Sequence, residues 1–212
     1  MAGNNWLGAP SSEENAAGRI LDAAGELFAQ HGPGSVGMRE IARAAGCSRA
    51  TLYRYFENRE ALRTAYAHRE AKAVFRRVGD SLRGVTDPQQ RLITGITVAM
   101  AMVRENPAVA SWFAKTEPPI GAEMADRSDV VTAMVATFLA SLGQGDAEAP
   151  DVVERRARWV VRVIMSLLIF PGRNADDERA LVADFVVPVV APADRAARSP
   201  APNRCRNRST AG

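Results

Sequence analysis

Along most of this chain apolar residues return every three or four positions, the period of a helix with one buried face. Ile20, Leu21, Ala24, Leu27 and Phe28 make one such stripe, and His31-Gly32-Pro33-Gly34 ends it. Met38, Ile41 and Ala42 mark the inward face of a short second helix, Met38 to Ala45. Gly46 then supplies a turn, and Ser48 is suited to cap a third short helix, Arg49 to Phe56. After Glu57-Asn58 a longer helix is predicted from Arg59 to about Leu82. Beyond Asp87-Pro88 the same period predicts helices at about 88–105, 107–116, 122–142, 151–170 and 176–190. Their separators are Asn106-Pro107, Pro118-Pro119, Gly143-Gln144-Gly145, Pro150 and Pro171-Gly172. Strand-like alternation of useful length and solenoid-length repeats are both missing. The predicted fold class is all-α.

Three helices of which the last two are short and joined by a glycine turn form a helix-turn-helix. Leu52 and Phe56, at i and i+4, are placed to anchor the third helix on Ile41, Ala42 and the first helix. That anchoring turns Ala50, Thr51, Arg54 and Tyr55 outward. Arg49, in the first turn, can reach a base edge, where arginine makes bidentate bonds to guanine. Ala50 can touch a thymine methyl. The hydroxyls of Thr51, Tyr53 and Tyr55 suit phosphate oxygens, which set register without reading sequence.

The stretch GMREIARAAGCSRATLYRYFENREAL, Gly37 to Leu62, preceded by RILDAAGELFAQHG, resembles the TetR family of bacterial transcriptional regulators. The resemblance runs from Arg19 to about Glu70, and its REIA–AG–S–TLY–F–REAL elements agree in both residue type and spacing. It implies that Arg39 reaches DNA beside the recognition helix and that Arg49 and Ala50 read bases. It implies backbone contacts for Thr51, Tyr53 and Tyr55, either role for Arg54, and a phosphate contact for Arg59. Ser48, which opens the recognition helix, completes this DNA-contacting set. Two positions depart from the family pattern. Gly37 stands where a threonine is common, which removes one phosphate-binding hydroxyl. Cys47 replaces a valine of the turn, and a buried structural thiol is expected there, with redox sensing as the competing reading.

The resemblance also divides the chain. Residues 1–14 are expected to be a flexible N-terminus, 15–75 the DNA-binding domain with its motif at 37–56, and 76–191 an effector-binding and dimerisation domain. Residues 192–212 read as a disordered basic tail. Helices 151–170 and 176–190 look like the pair that forms a four-helix homodimer interface in this family, the bland alternative being that both pack inside one monomer. A dimer carries two recognition helices about 34 Å apart, so its double-stranded DNA target would be an inverted repeat. Met100, Val103, Trp112, Phe113, Met124, Met134, Phe138, Trp159 and Met165 are candidates to line a pocket for a small lipophilic effector, although each is singly compatible with plain core. Pro118-Pro119-Ile120-Gly121 is a candidate loop at the mouth of that pocket.

Composition changes this picture little, and charge sharpens it. The 212 residues, 47% hydrophobic and 24% charged, suit an ordinary folded protein able to bury a core without a metal or disulfide staple. The net charge of +3 is unevenly spread. Residues 19–77 carry +5, 79–194 carry −5, and the tail from Arg195 carries +5, so a basic module sits on an acidic body. Cys47 and Cys205 cannot build a disulfide framework, and the apolar run around Val163 to Phe170 is far short of a membrane span. The N-terminus shows no signal-peptide pattern, so the expected location is the cytoplasm, with no membrane partner. His31 and His68 share no metal-ligand spacing, and Gly32-Pro33-Gly34-Ser35-Val36-Gly37 fits neither a P-loop nor a nucleophile elbow. No cofactor, metal or catalytic residue is therefore expected. Asn207-Arg208-Ser209 matches a glycosylation sequon by chance. The expected function is a sequence-specific regulator, a repressor released from its operator by a small molecule. The competing reading is a ligand-binding or protein-interaction module without specific DNA binding, against which Arg39, Arg49, Thr51, Tyr53 and Arg59 count. An enzyme on this helical body lacks any acid–base constellation.

Overall fold

The computed structural model describes residues 12–114, 120–142 and 149–191. The Pro118-Pro119 and Gly143-Gln144-Gly145 separators, Cys205, the sequon and the basic tail lie outside the described residues. Among those described, every regular element is helical, and no helix is long and apolar enough to cross a membrane.

Helix α1, Ser12–His31, starts inside the segment expected to be a flexible lead and buries Ile20, Leu21, Ala24 and Phe28. It stops at Gly32, whose φ of 75° lies in the left-handed region open to glycine, while its N–H still bonds the Phe28 carbonyl. Helix α2, Met38–Ala44, begins with the Gly37 N–H donating to the Glu40 carboxylate at 2.9 Å. Gly37 has no side-chain oxygen to return the bond, so half of a capping box is present. Gly46, at φ 65°, turns the chain into α3, Arg49–Tyr55, where Ser48 Oγ accepts from the Thr51 N–H at 3.0 Å. Helix α4, Arg59–Ser81, is capped by Asn58 and crosses residue 75 without a break.

The remaining helices are α5 (Pro88–Glu105), α6 (Pro107–Ala110), α7 (Ile120–Asp126), α8 (Asp129–Ala140), α9 (Pro150–Ile169), α10 (Ala175–Phe185) and α11 (Val187–Val190). Three of them divide segments expected to be continuous. The helix predicted at 107–116 tightens after α6 into a 3-10 turn at Ser111–Phe113, where Ser111 Oγ bonds back to the Ala108 carbonyl. The 122–142 segment breaks at Ser128, an extended residue whose hydroxyl caps α8 by accepting from Val131 N–H. The 176–190 segment breaks at Val186, because Pro188 has no N–H to continue the ladder.

Two hydrophobic clusters hold the molecule together. Ile20, Ala24, Phe28, Ile41, Leu52, Leu62 and Tyr66 form the N-terminal one, joined by Ala108 and Trp112 from α6 and its 3-10 turn. Leu92, Ile96, Met100, Leu139, Val160, Leu168 and Val182 belong to the C-terminal one. The seam is aromatic. Phe28 meets Tyr66 and Trp112 edge-on at 5.3 and 5.5 Å, and Tyr66 stacks on Trp112 at 5.8 Å. Burial pushes the Tyr66 phenol up to about 12.

Candidate DNA interface and effector cavity

Recognition helix α3 is fixed by one fully buried side chain, Leu52, with Phe56 closing its end against the same core. Arg49, Ala50, Tyr53 and Arg54 are exposed along it, and Arg39 and Ser48 are exposed beside it. Two expected outward residues are not on the open face. Thr51 is half-buried, with its hydroxyl 2.9 Å from Ser48 Oγ. Tyr55 is half-buried against the N-terminal core, because three residues past Leu52 a helix has turned almost back onto its buried stripe. The Arg54 guanidinium lies 5.2 Å over the Tyr55 ring, which holds that arginine against the helix surface. Cys47 is also half-buried and packs on this core, and its N–H bonds the Ala42 carbonyl.

Helix α4 ties this head to the body. Arg59 donates to the Gly34 carbonyl at 3.2 Å, and Arg63 donates to the Pro33 carbonyl. Burial and the neighbouring Arg59 charge lower the Arg63 pKa. Nearly two turns further on, Arg69 donates to Asp22 of α1 at 2.7 Å and to its neighbour Glu70, which accepts from Asn106 at the α5–α6 junction. The chain α1–Arg69–Glu70–Asn106 thus bridges head and body. The buried Trp112 Nε1–H and Arg63 Nε meet no acceptor among the described residues.

Between α4, α5, α7, α8 and α9 lies a cavity of about 1070 Å³. Val103, Trp112, Phe113, Met124, Met134, Phe138 and Met165, all singled out from sequence, line it. Two others do not. Met100 is buried in the C-terminal core, and Trp159 is 47% exposed, turned away from its neighbours Val160 and Val161, which do line the cavity. Successive helical residues differ in direction by about 100°, so hydrophobicity alone could not place it. Ile120 and Gly121, expected in a loop at the mouth, are lining residues of α7 instead. One whole wall was missed from sequence: Tyr66, His68, Ala71, Val74 and Phe75 of α4. The available signal was the apolar spacing of Ala71, Val74, Phe75 and Val78, which continues beyond the helix-turn-helix. His68 Nε2 lies 3.0 Å from Ser128 Oγ, and burial, with Lys72 nearby, lowers its pKa. No group of histidine, cysteine or carboxylate side chains among the described residues could hold a metal ion.

The profile of the bacterial regulatory proteins of the tetR family matches residues 20–66. The HTH-type transcriptional regulator Rv1255c of Mycobacterium tuberculosis is 59% identical over 198 residues, spanning 93% of this chain and 96% of that protein. The chain belongs to the TetR family. It is a helix-turn-helix transcriptional regulator and not an enzyme. The HTH-type transcriptional activator FasR of Mycolicibacterium smegmatis shares 36% identity over 91 residues, 43% of this chain and 42% of its own. Among solved structures, RolR in complex with resorcinol superposes with a TM-score of 0.64 at 19% identity, covering 84% of this chain and 88% of RolR. The transcriptional repressor QsdR of R. erythropolis gives 0.62 at 20% identity, covering 85% and 96%. At those identities the agreement concerns the fold.

On this TetR-family body the surface of α9 to α11 is unusually apolar. Trp159, Phe170, Leu181, Phe185 and Val189 are exposed, with Phe170 and Phe185 68% and 67% accessible. Leu181 and Phe185 stand one turn apart on the same face of α10. On the same stripe, one turn before Leu181, Glu178 is only 4% exposed and accepts two bonds from Arg104 at 2.7 and 2.8 Å and one from the Gly172 N–H at 2.9 Å. These bonds hold its carboxyl below the usual range.

Proposed function

We propose that this regulator is a homodimeric repressor that binds an inverted-repeat operator and leaves it when a lipophilic small molecule enters the α4–α9 cavity. The observation that carries the reading is the sharing of α4 and Trp112 between the two functional regions. Tyr66 and Trp112 contact Phe28 in the head and line the cavity in the body. A ligand that shifts either ring therefore acts on α1 and, through Arg59 and Arg63, on the loop that leads into α2. The resorcinol bound by RolR supports a small organic effector.

The exposed apolar face of α9–α11 supports dimerisation through helices 151–170 and 176–190, and two heads in fixed relation demand a two-fold DNA site. Arg39, Ser48, Arg49, Ala50, Tyr53 and Arg54 are the proposed DNA-facing set, with Thr51 and Tyr55 contributing from its margin and Arg59 reaching phosphate. The test is a titration of the purified protein at physiological salt against DNA from upstream of its own gene and a scrambled duplex, followed by genome-wide fragment selection. Binding near 10⁻⁸ M and about 10³-fold above the scrambled duplex supports the reading. Equal weak binding to every genomic fragment would sink it and favour a ligand-binding module. A promoter reporter then separates repression from activation.

A further inference from the structure

We propose that His68 and Ser128 form the polar anchor of the cavity and select an effector that carries one neutral hydroxyl on an otherwise apolar body, against hydrocarbons and carboxylates of the same shape. This rests on the reading of the cavity as the effector site. The two side chains come from α4 and from the start of α8, meet at 3.0 Å, and both line the cavity, whose apolar lining includes Val74, Phe75, Phe113 and Met134.

The hydrogen-bond inventory of the pair leaves a defined remainder. Ser128 Oγ already accepts from the Val131 N–H at 3.2 Å. If the neutral imidazole carries its proton on Nε2, it donates to Ser128, which leaves the serine O–H to donate and Nδ1 to accept. If the proton sits on Nδ1, Ser128 donates to Nε2, which leaves the Nδ1–H to donate and one serine lone pair to accept. In either tautomer one donor and one acceptor remain, on opposite sides of the ring, and a hydroxyl, which both donates and accepts, can meet whichever of them faces the cavity. Burial lowers the His68 pKa, which favours the neutral ring that this count assumes.

Charge around the cavity gives an acid no advantage at this pair. Its lining includes four carboxylates, Glu60, Glu70, Glu123 and Asp129, against three guanidinium groups, Arg59, Arg63 and Arg127. Arg127 is paired with Glu123, and Arg59 and Arg63 donate to the Gly34 and Pro33 carbonyls. A carboxylate placed against His68 and Ser128 would lose its hydration and gain a single neutral donor in return.

The test uses the full-length protein and three probes of one shape, 4-hexylphenol, hexylbenzene and 4-hexylbenzoate, with binding measured calorimetrically at neutral pH. The phenol is expected to bind at least about tenfold more tightly than either analogue. In His68→Leu that preference should fall to within about threefold while hexylbenzene binding is kept, which also reports an intact cavity. Equal binding of phenol and hexylbenzene, tightest binding of the benzoate, or a hydroxyl preference unchanged in His68→Leu would each overturn the anchor and leave the cavity standing. Failure of all three probes to bind would overturn the cavity as an apolar effector site as well.

Discussion

Glu178 is the one buried charged side chain among the described residues, and replacing it is a severe test of how the body is held. Its carboxylate sits in the first turn of α10, where a negative charge is favoured, and joins the end of α5 to α10 through Arg104. Arg104 also donates to the Leu167 carbonyl near the end of α9, so one guanidinium fastens three helices. Glu178→Gln keeps the volume but removes the charge and turns an acceptor into a donor facing Arg104. Breaking one partner of a fully buried pair costs about 3–5 kcal/mol. The Arg104 side chain is 38% exposed and can regain water, so the expected loss is lower, about 2–3 kcal/mol. For a chain of this length that is about 5–10 °C in Tm, measured at fixed protein concentration because assembly shifts the midpoint. The pH dependence has a definite sign. The folded pKa of Glu178 lies below its ordinary 4.5, so its stabilisation is complete above about pH 4.5 and fades as pH falls through the folded value. The gap between wild type and Glu178→Gln should therefore stay level from about pH 6 to 8 and shrink below about pH 4.5. A loss under about 0.5 kcal/mol at neutral pH, or a gap that widens on acidification, would refute the assignment of a working buried ion pair.

Further outcomes follow from the same contacts. Arg49→Ala should cost about 1–3 kcal/mol of operator binding and relax preference at one base position, read by selection from a randomised operator. Arg59→Ala should weaken all sequences alike and lower the salt slope by about one, with some loss of head stability because Arg59 also holds the Gly34 carbonyl. Phe185→Arg, at a side chain 67% exposed, should leave the monomer fold intact by circular dichroism yet shift sedimentation from dimer to monomer; an unchanged dimer would exclude the α10 face. Gly95→Ala would bring a Cβ to 2.8 Å from the Phe138 ring, so the ring must move and effector binding should weaken, checked with the probe that binds the wild type. On acidification His68, whose pKa is lowered, is neutral above about pH 6.5 and adds a growing stability penalty as pH falls below it, which His68→Leu should remove from a pH series of urea midpoints.

Local rules carried the head of this protein. The stripe from Ile20 to Phe28, the turn glycines, the Ser48 cap and the Leu52–Phe56 pair are short-range features, and each appears in the structure within a residue or two of its expected place. The resemblance of the Gly37–Leu62 stretch to the TetR family rests on the same local chemistry and agrees with the family match over residues 20–66. The body was legible only in outline. Its helix boundaries slipped at Ser111, Ser128 and Val186, where a hydroxyl or a following proline outweighed continuous hydrophobicity. Apolar character cannot separate the wall residue Met165 from the core residue Met100 or the exposed Trp159.

The all-α class, the order of the helices and the recognition helix with its exposed arginines follow from the chain's local patterns. Those depend on periods, caps and turns that act within about one or two helical turns. Which faces meet is set by the packing of the whole chain. It assigned Trp112 to the head as well as to the cavity, brought His68 to Ser128 across 60 residues, and matched Glu178 with Arg104 across 74. The reason is physical: an amphipathic stripe specifies that a face will be buried, whereas its partner depends on how all the helices pack together.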